Sequence, residues 1–305
     1  MDIKNEKAKD MATALDCAIR EYEKEKGGFE IGNTKYLNYM CNKVWDEYLK
    51  NMNLKHKRQY GMGAGGELKA GQYPPKMASF GSSSRLIYEL SKEIEGFIFE
   101  ERLDTRVGGI ANLDGLLRKG NKYIYVEAKR REIYYPSHES QEIKTVYVPV
   151  YEKIQNLCSK FSFTPKDVND ENEEETKKIT FKINGEPVKY FDLKQLICHF
   201  LGITYDIAKH SVKNAKVTFL YLLYNPNEVE DKIDEKYREK VKNRYDEVES
   251  FIRDRKDDFK AIFDAVLQYQ TETHKLEKPD IDFNFKLVDQ DAYLNELKKI
   301  TGFLR

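Results

Sequence analysis

The sequence predicts an α/β protein in which helices flank a mixed four-stranded sheet. Three observations predict it. Two apolar runs, 110–117 and 122–130, flank the turn-like Arg118-Lys119-Gly120-Asn121 and read as a hairpin. Residues 217–224, Val-Thr-Phe-Leu-Tyr-Leu-Leu-Tyr, are almost continuously apolar, the pattern of a strand buried on both faces. The stretches before and after carry apolar residues at helical spacing with charges between them.

The 305 residues suffice for one large domain or two modest ones. With 40% hydrophobic and 34% charged residues, the chain reads as globular with a wet surface. Its formal net charge is zero, so it lacks the global basic signature of a nucleic-acid binder, although local patches can do that work. Cys17, Cys41, Cys158 and Cys198 form no C-x-x-C pair, which fits reduced thiols better than a zinc site or a disulfide framework. No apolar run is long enough to span a bilayer, and the charged N-terminus lacks a signal-peptide core. The expectation is a cytoplasmic protein with no membrane partner.

Taken in order, 2–26 reads as a helix with Met11, Leu15, Ala18, Ile19 and Tyr22 on its apolar side, stopped by Gly27-Gly28. A second helix is expected over 33–52, with Trp45 in the core. Gly61 to Leu68 contains G-x-G-x-x-G, but no strand precedes it and no Gly-Lys-Ser/Thr follows, so neither a dinucleotide fingerprint nor a phosphate loop is present. It reads as a flexible loop able to present Glu67. Ser82-Ser83-Ser84 caps a helix through about residue 94, with Leu86, Ile87, Leu90 and Ile94 inward and Glu89 and Glu93 as its acids. Residues 96–103 supply a strand that joins the hairpin in a three-strand meander. Residues 149–161 read as a helix with Pro149 in its first turn, and 180–190 as a hairpin on Asn184-Gly185. An acidic stretch, 167–175, reads as an exposed loop. Leu193 to Leu201 is expected to be a helix closed by Gly202, with Gln195 and His199 on one face. Residues 217–224 become the fourth strand, parallel to its neighbour through a helical crossover. From Asp231 a long apolar stripe marks one or two helices covering the sheet, with a coiled-coil homodimer as the rival arrangement, and 292–304 reads as a terminal helix. This divides the chain into an N-terminal helical region (1–60), a core (61–228) with an insertion at about 136–191, and a C-terminal helical region (229–305).

The chemistry is concentrated in the hairpin. Side chains alternate across a strand, so Glu127 and Lys129 share one face while Ile124, Val126 and Ala128 take the other. The hairpin brings Asp114 alongside. Two carboxylates held that close repel unless a cation sits between them, and Mg²⁺ needs only one or two carboxylates with waters and substrate phosphates. Arg118, Lys119, Lys122, Arg130 and Arg131 crowd the hairpin and read as a basic rim suited to a phosphodiester.

Asp114 followed, after twelve intervening residues, by Glu127-Ala128-Lys129 resembles the PD-(D/E)XK nuclease superfamily, which includes many restriction endonucleases. Leu113 stands where the motif name has proline, a position that varies in that superfamily. The resemblance implies a restriction-endonuclease-like core and a metal-dependent endonuclease that hydrolyses DNA. Mg²⁺, or Mn²⁺ in its place, would be held by Asp114, Glu127 and the Ala128 carbonyl, and Lys129 would orient the attacking water. Products would carry 5′-phosphate and 3′-hydroxyl ends. The superfamily also suggests an acid ahead of the sheet, for which Glu67, Glu89 and Glu93 are the candidates, and a polar contribution from the following helix, for which Gln195 and His199 are. Double-stranded DNA is the implied partner. The alternatives are a nucleic-acid-binding protein of this fold that does not cut and a helical partner-binding protein.

Overall fold

Backbone pairing between strands far apart in sequence organises the molecule. The computed structural model of the chain describes residues 10–27, 39–62, 66–68, 74–135, 140–165 and 176–302. The N-terminal helices are α1 (Met11–Gly27), α2 (Asn42–Asn51), α3 (Leu54–Met62) and α4 (Ser83–Ser91). Strands β1 (Ile98–Asp104), β2 (Ile110–Lys119) and β3 (Lys122–Lys129) follow as an antiparallel meander. Next come β4 (Gln141–Lys144), α5 (Val148–Leu157), β5 (Phe161–Pro165), β6 (Thr176–Ile183) and the two-residue β7 (Glu186–Pro187). The chain closes with α6 (Leu193–Lys209), β8 (Ala215–Leu223), α7 (Glu235–Asp254), α8 (Lys256–His274), β9 (Ile281–Val288) and α9 (Gln290–Thr301).

The main sheet has five strands, not four, in the order β1-β2-β3-β8-β9. The expected crossover is present: β3 and β8 pair in parallel from Lys122↔Lys216 to Lys129↔Leu223. The fifth strand, β9, adds to the far side of β8, also in parallel. It escaped the sequence reading because only alternate positions are apolar, with Asp282, Asn284 and Lys286 between them. An edge strand with one solvated side needs no more than that. Helices α6 and α8 lie against one another, α6 covering β1 and β2, while α4 and α9 pack on other parts of the sheet.

Local chemistry sets the ends of these elements. The Ser82 hydroxyl accepts from the Arg85 N–H at 3.1 Å and caps α4, and Asp192 caps α6 by accepting from the Gln195 N–H at 2.8 Å. Helix α4 ends at Ser91, earlier than residue 94. Helix α1 reaches the first glycine of Gly27-Gly28, while residues 2–9, 28–38 and the acidic stretch 167–175 lie outside the described residues. The segment expected to be helical over 149–161 is the shorter α5, because Phe161 starts a strand. The 136–191 insertion contains a second sheet of order β4-β6-β5, with the β6–β7 turn built on Asn184 and Gly185 at φ 51° and 82°.

Gly202 corrects another expectation. It does not end its helix; α6 runs on to Lys209. A Cβ at Gly202 would lie 2.8 Å from the Leu103 Cβ and 2.9 Å from the Ala111 Cβ, so glycine is what lets α6 approach β1 and β2. The long C-terminal stripe forms two helices, and Tyr237, Val241, Val248, Ile252, Phe259, Ile262 and Val266 are all buried in this chain's own core. Those residues are therefore spent within the chain, which removes them as the seam of a coiled-coil dimer.

Replacing Gly202 with valine should force α6 away from the sheet and cost about 1–3 kcal/mol. Urea denaturation would report this as a lower midpoint; an unchanged midpoint would show that the close approach is not required.

Candidate active site

The β2–β3 ladder runs from Lys119↔Lys122 to Gly115↔Val126 and stops there. Asp114, the next residue on β2, replaces backbone pairing with side-chain pairing: its carboxylate accepts from the Ala128 N–H at 2.7 Å. On its other edge β3 stays paired, with the Lys129 carbonyl accepting from the Tyr224 N–H at 2.9 Å. Neighbouring residues of a strand direct their peptide groups to opposite edges, so the Ala128 carbonyl faces the same side as its N–H, toward the opening beside Asp114. The broken ladder thus leaves a carboxylate and a backbone carbonyl at one place.

The expected sharing of a face by Glu127 and Lys129 is realised. The Lys129 Nζ donates to Glu127 Oε1 at 2.6 Å and to Gln195 Oε1 at 2.7 Å. His199 Nε2 lies 3.0 Å from Glu127 Oε2, an ion-pair distance without hydrogen-bond alignment. Glu127 and His199 are only 3% and 2% exposed, so the two groups interact with little solvent between them. Asp114, Glu127, Ala128, Lys129 and Gln195 line a cleft of about 250 Å³, together with Glu67, Lys76, Arg131 and the serines that open α4.

The electrostatics separate the acids into two kinds. Burial works to raise the Glu127 carboxyl, but Lys129 and His199 outweigh it and bring it down to about 2. Burial likewise works to lower the Lys129 ammonium, and Glu127 more than offsets it, so Lys129 is held well above its usual range. Asp114 goes the other way. Burial, then the charges of Glu127 and Glu100, push it well above the usual carboxylate range despite Lys129 and the Ala128 N–H. Glu100 is raised to about 7 by burial and then by Glu67, with the Ser84 hydroxyl, 3.2 Å away, opposing. Glu67 is 4% exposed; one oxygen is 3.2 Å from the Lys76 Nζ and the other has no hydrogen-bond partner.

Among the described residues no three His, Cys, Asp or Glu side chains close on one point at metal-ligand spacing. Mg²⁺ asks for less: one or two carboxylates, completed by carbonyl oxygen, water and phosphate. Asp114, Glu127 and the Ala128 carbonyl fit that donor set. The acids that burial and mutual repulsion drive to hold protons are what a divalent cation would relieve.

Several expectations need correcting. Glu89 is not at this cleft. It pairs with Lys92 at 2.7 Å and, with Glu93, lines a separate hollow beside Arg85 and Tyr48. The acid that the sequence reading missed is Glu100. It falls between the pairs Phe99↔Gly115 and Glu101↔Leu113, which places it opposite Asp114, and its φ of 54° is left-handed. Only the β1–β2 register of the folded sheet places it there. The basic rim is also largely elsewhere. Arg118, Lys119 and Lys122 sit at the other end of the hairpin, where Arg118 pairs with Glu101 and Asp206. Arg130 is buried and pairs with Glu23 at 3.2 Å; only Arg131 of the five lines the cleft. Of the glycine-rich loop, 63–65 lie outside the described residues, and Glu67 is anchored by the Met77 N–H donating to its carbonyl at 3.1 Å.

Compared with protein-family models, with curated proteins and with solved structures, the chain matches none of them. Among the described residues no helix is long and apolar enough to cross a membrane.

Glu100 gives a pH signature. Its folded-state value of about 7 exceeds the 4.5 of a free glutamate, so between those values the folded chain binds more protons than the unfolded chain. Stability therefore falls as pH rises through that window. In metal-free buffer Glu100→Gln should flatten this decline and gain stability relative to the parent above pH 7. Denaturation midpoints across the window measure it; parallel pH curves for the two proteins would contradict it.

Proposed function

We propose that this chain is a Mg²⁺-dependent endonuclease that hydrolyses DNA phosphodiester bonds, with a restriction-endonuclease-like core. The observation that carries this reading is the meeting of Asp114, Glu127 and Lys129 where the β2–β3 ladder breaks. The meander, the crossover through α6 and the parallel β8 support the fold assignment.

Asp114, Glu127 and the Ala128 carbonyl would hold the ion. When bound, Mg²⁺ supplies Lewis-acid polarisation of the scissile phosphate and acidifies water. The protein's own groups do the rest. Lys129, fixed by the Gln195 side-chain carbonyl at 2.7 Å, orients the attacking water and offsets the charge on the phosphoryl oxygens. His199 is a positioning residue: from its buried place on α6 it keeps Glu127 ionised and aimed. Lys76, paired with Glu67, and Arg131, paired with Asp16, line the cleft wall and would meet the phosphate's outer oxygens.

A second reading is a DNA-binding protein of the same fold that does not cut. It is favoured by one observation: Glu127 Oε1 already accepts from Lys129, and Oε2 lies beside His199. Incubation with DNA and Mg²⁺ or Mn²⁺ separates the two, since retardation on a gel without fragments would support binding alone.

Asp114→Ala or Lys129→Ala should reduce cleavage by at least about 10²-fold while circular dichroism still shows the parent fold. Full activity in either folded variant would overturn the mechanism. Chelation with EDTA should abolish cleavage, and added Mg²⁺ should restore it; cleavage that persists in EDTA would rule out the metal requirement.

A further inference from the structure

Three hollows meet at Gln195. One is the cleft over Asp114. A second, of about 620 Å³, opens beside Lys129, and a third, of about 680 Å³, lies next to Tyr147 and Cys198. Gln195 lines all three. The inserted sheet bounds the second and third. It is fastened to the first turn of α6: the Gln141 amide donates to the Phe191 carbonyl and accepts from the Lys194 N–H, both at 3.2 Å, and the Lys194 Nζ donates to the Glu142 carbonyl at 3.1 Å. The helix turn that supplies Gln195 therefore also holds the insertion over the approach to Lys129.

The second hollow has a particular chemistry. Lys178 on β6 and Lys189 just beyond β7 are exposed on its wall. Two tyrosines accompany them. Tyr135 is 41% exposed, and Tyr190, on the same wall, has the Arg244 guanidinium 3.4 Å from its ring centroid. Two of the acids on the wall are committed: Glu132 to Ser83 and to the Arg130 and Arg131 N–H groups, Asp192 to capping α6. Glu142 is the remaining acid.

We propose that this hollow is a track for an unpaired nucleic-acid segment, in which Lys178 and Lys189 take phosphates, Tyr135 and Tyr190 stack bases, and the backbone is led to Lys129. The proposal rests on the nuclease reading for what happens at Lys129 and adds the state in which DNA arrives. Lysines bind phosphates of either form, so the tyrosines decide between them. A base can stack on an aromatic ring only when it has left its own stack, which single-stranded or locally opened DNA provides and an intact duplex does not. A pocket bounded by an inserted sheet admits such a strand, whereas an intact duplex needs an open groove.

The test uses the full chain in EDTA, so that binding is measured without cleavage. The probe is a fluorescein-labelled DNA strand of mixed sequence, about 15 nucleotides long to fill a strand-binding site, compared with its blunt duplex by anisotropy. The single strand should bind about 10-fold or more tightly than the duplex. Lys178→Ala/Lys189→Ala should weaken strand binding and reduce the slope of log affinity against log salt by about 1.4, the value for two single-strand phosphate contacts. Tyr135→Ala should weaken it about 5-fold or more. All three side chains are outside the core, and thermal midpoints would verify folding. Equal or tighter duplex binding, no binding of either probe, or a double variant with an unchanged salt slope would overturn the track. Cleavage, assayed separately with Mg²⁺, keeps the two ideas apart. A protein that cuts duplexes but shows none of these strand effects loses the track and keeps the nuclease reading. One that shows the strand effects but cuts nothing keeps the track and loses the nuclease reading.

Discussion

Where β2 stops pairing with β3, one carboxylate takes over the work of a backbone carbonyl. Asp114 accepts from the Ala128 N–H, and the strands beyond Gly115↔Val126 no longer form a ladder. The rest of the site follows from that break. It leaves the Ala128 carbonyl without a β2 partner in the ladder, opens the cleft that Glu67 and Lys76 line from the other side, and holds a carboxylate against the buried Glu127. Only a well-anchored sheet can hold these groups together against their repulsion. Here β3 is central and paired along its whole length with β8, and α6, which approaches β1 and β2 closely because position 202 is glycine, reaches β3 with Gln195 and His199.

Charge is arranged with equal economy. Glu127 is ionised because two cationic or potentially cationic groups, Lys129 and His199, surround it. Asp114 and Glu100 have no such escort strong enough to offset burial, and so both are driven toward the protonated form. A cluster in which one acid is strongly ionised and its neighbours are reluctant to ionise is poised for a cation, which would release protons as it enters. The Lys129 hydrogen bond and the neighbouring His199 hold Glu127 in place. In the proposed mechanism Lys129, tethered by Gln195, stands beside the reacting water and phosphate.

Much of this was legible in the sequence, and for a physical reason. The period of two in a strand places Glu127 and Lys129 on one face without any knowledge of the fold, and the four-residue spacing of Gln195 and His199 places both on one helix face. Both pairs meet as that arithmetic requires. What failed needed longer-range information. Glu89 was a candidate because it lies on the helix before the sheet, but helical periodicity does not say which side of the sheet an exposed face meets. Glu100 came from strand register and a left-handed backbone, neither of which a residue pattern reveals. The basic rim failed because proximity in sequence is not proximity in space: Arg118 lies opposite Tyr123, near the far end of β3 from Glu127. Strand β9 and the β4-β6-β5 sheet are pairings between segments far apart in the chain, set by tertiary context more than by intrinsic preference.

The most direct measurement is a crystal of the protein soaked in Mn²⁺ and examined by anomalous diffraction. The expected result is an ion at about 2.1 Å from carboxylate oxygens of both Asp114 and Glu127, with the Ala128 carbonyl in its shell and the Lys129 ammonium moved off Glu127. An ion bound away from these residues, or no ion with the Lys129–Glu127–His199 contacts unchanged at saturating Mn²⁺, would contradict the metal site on which the proposed chemistry stands.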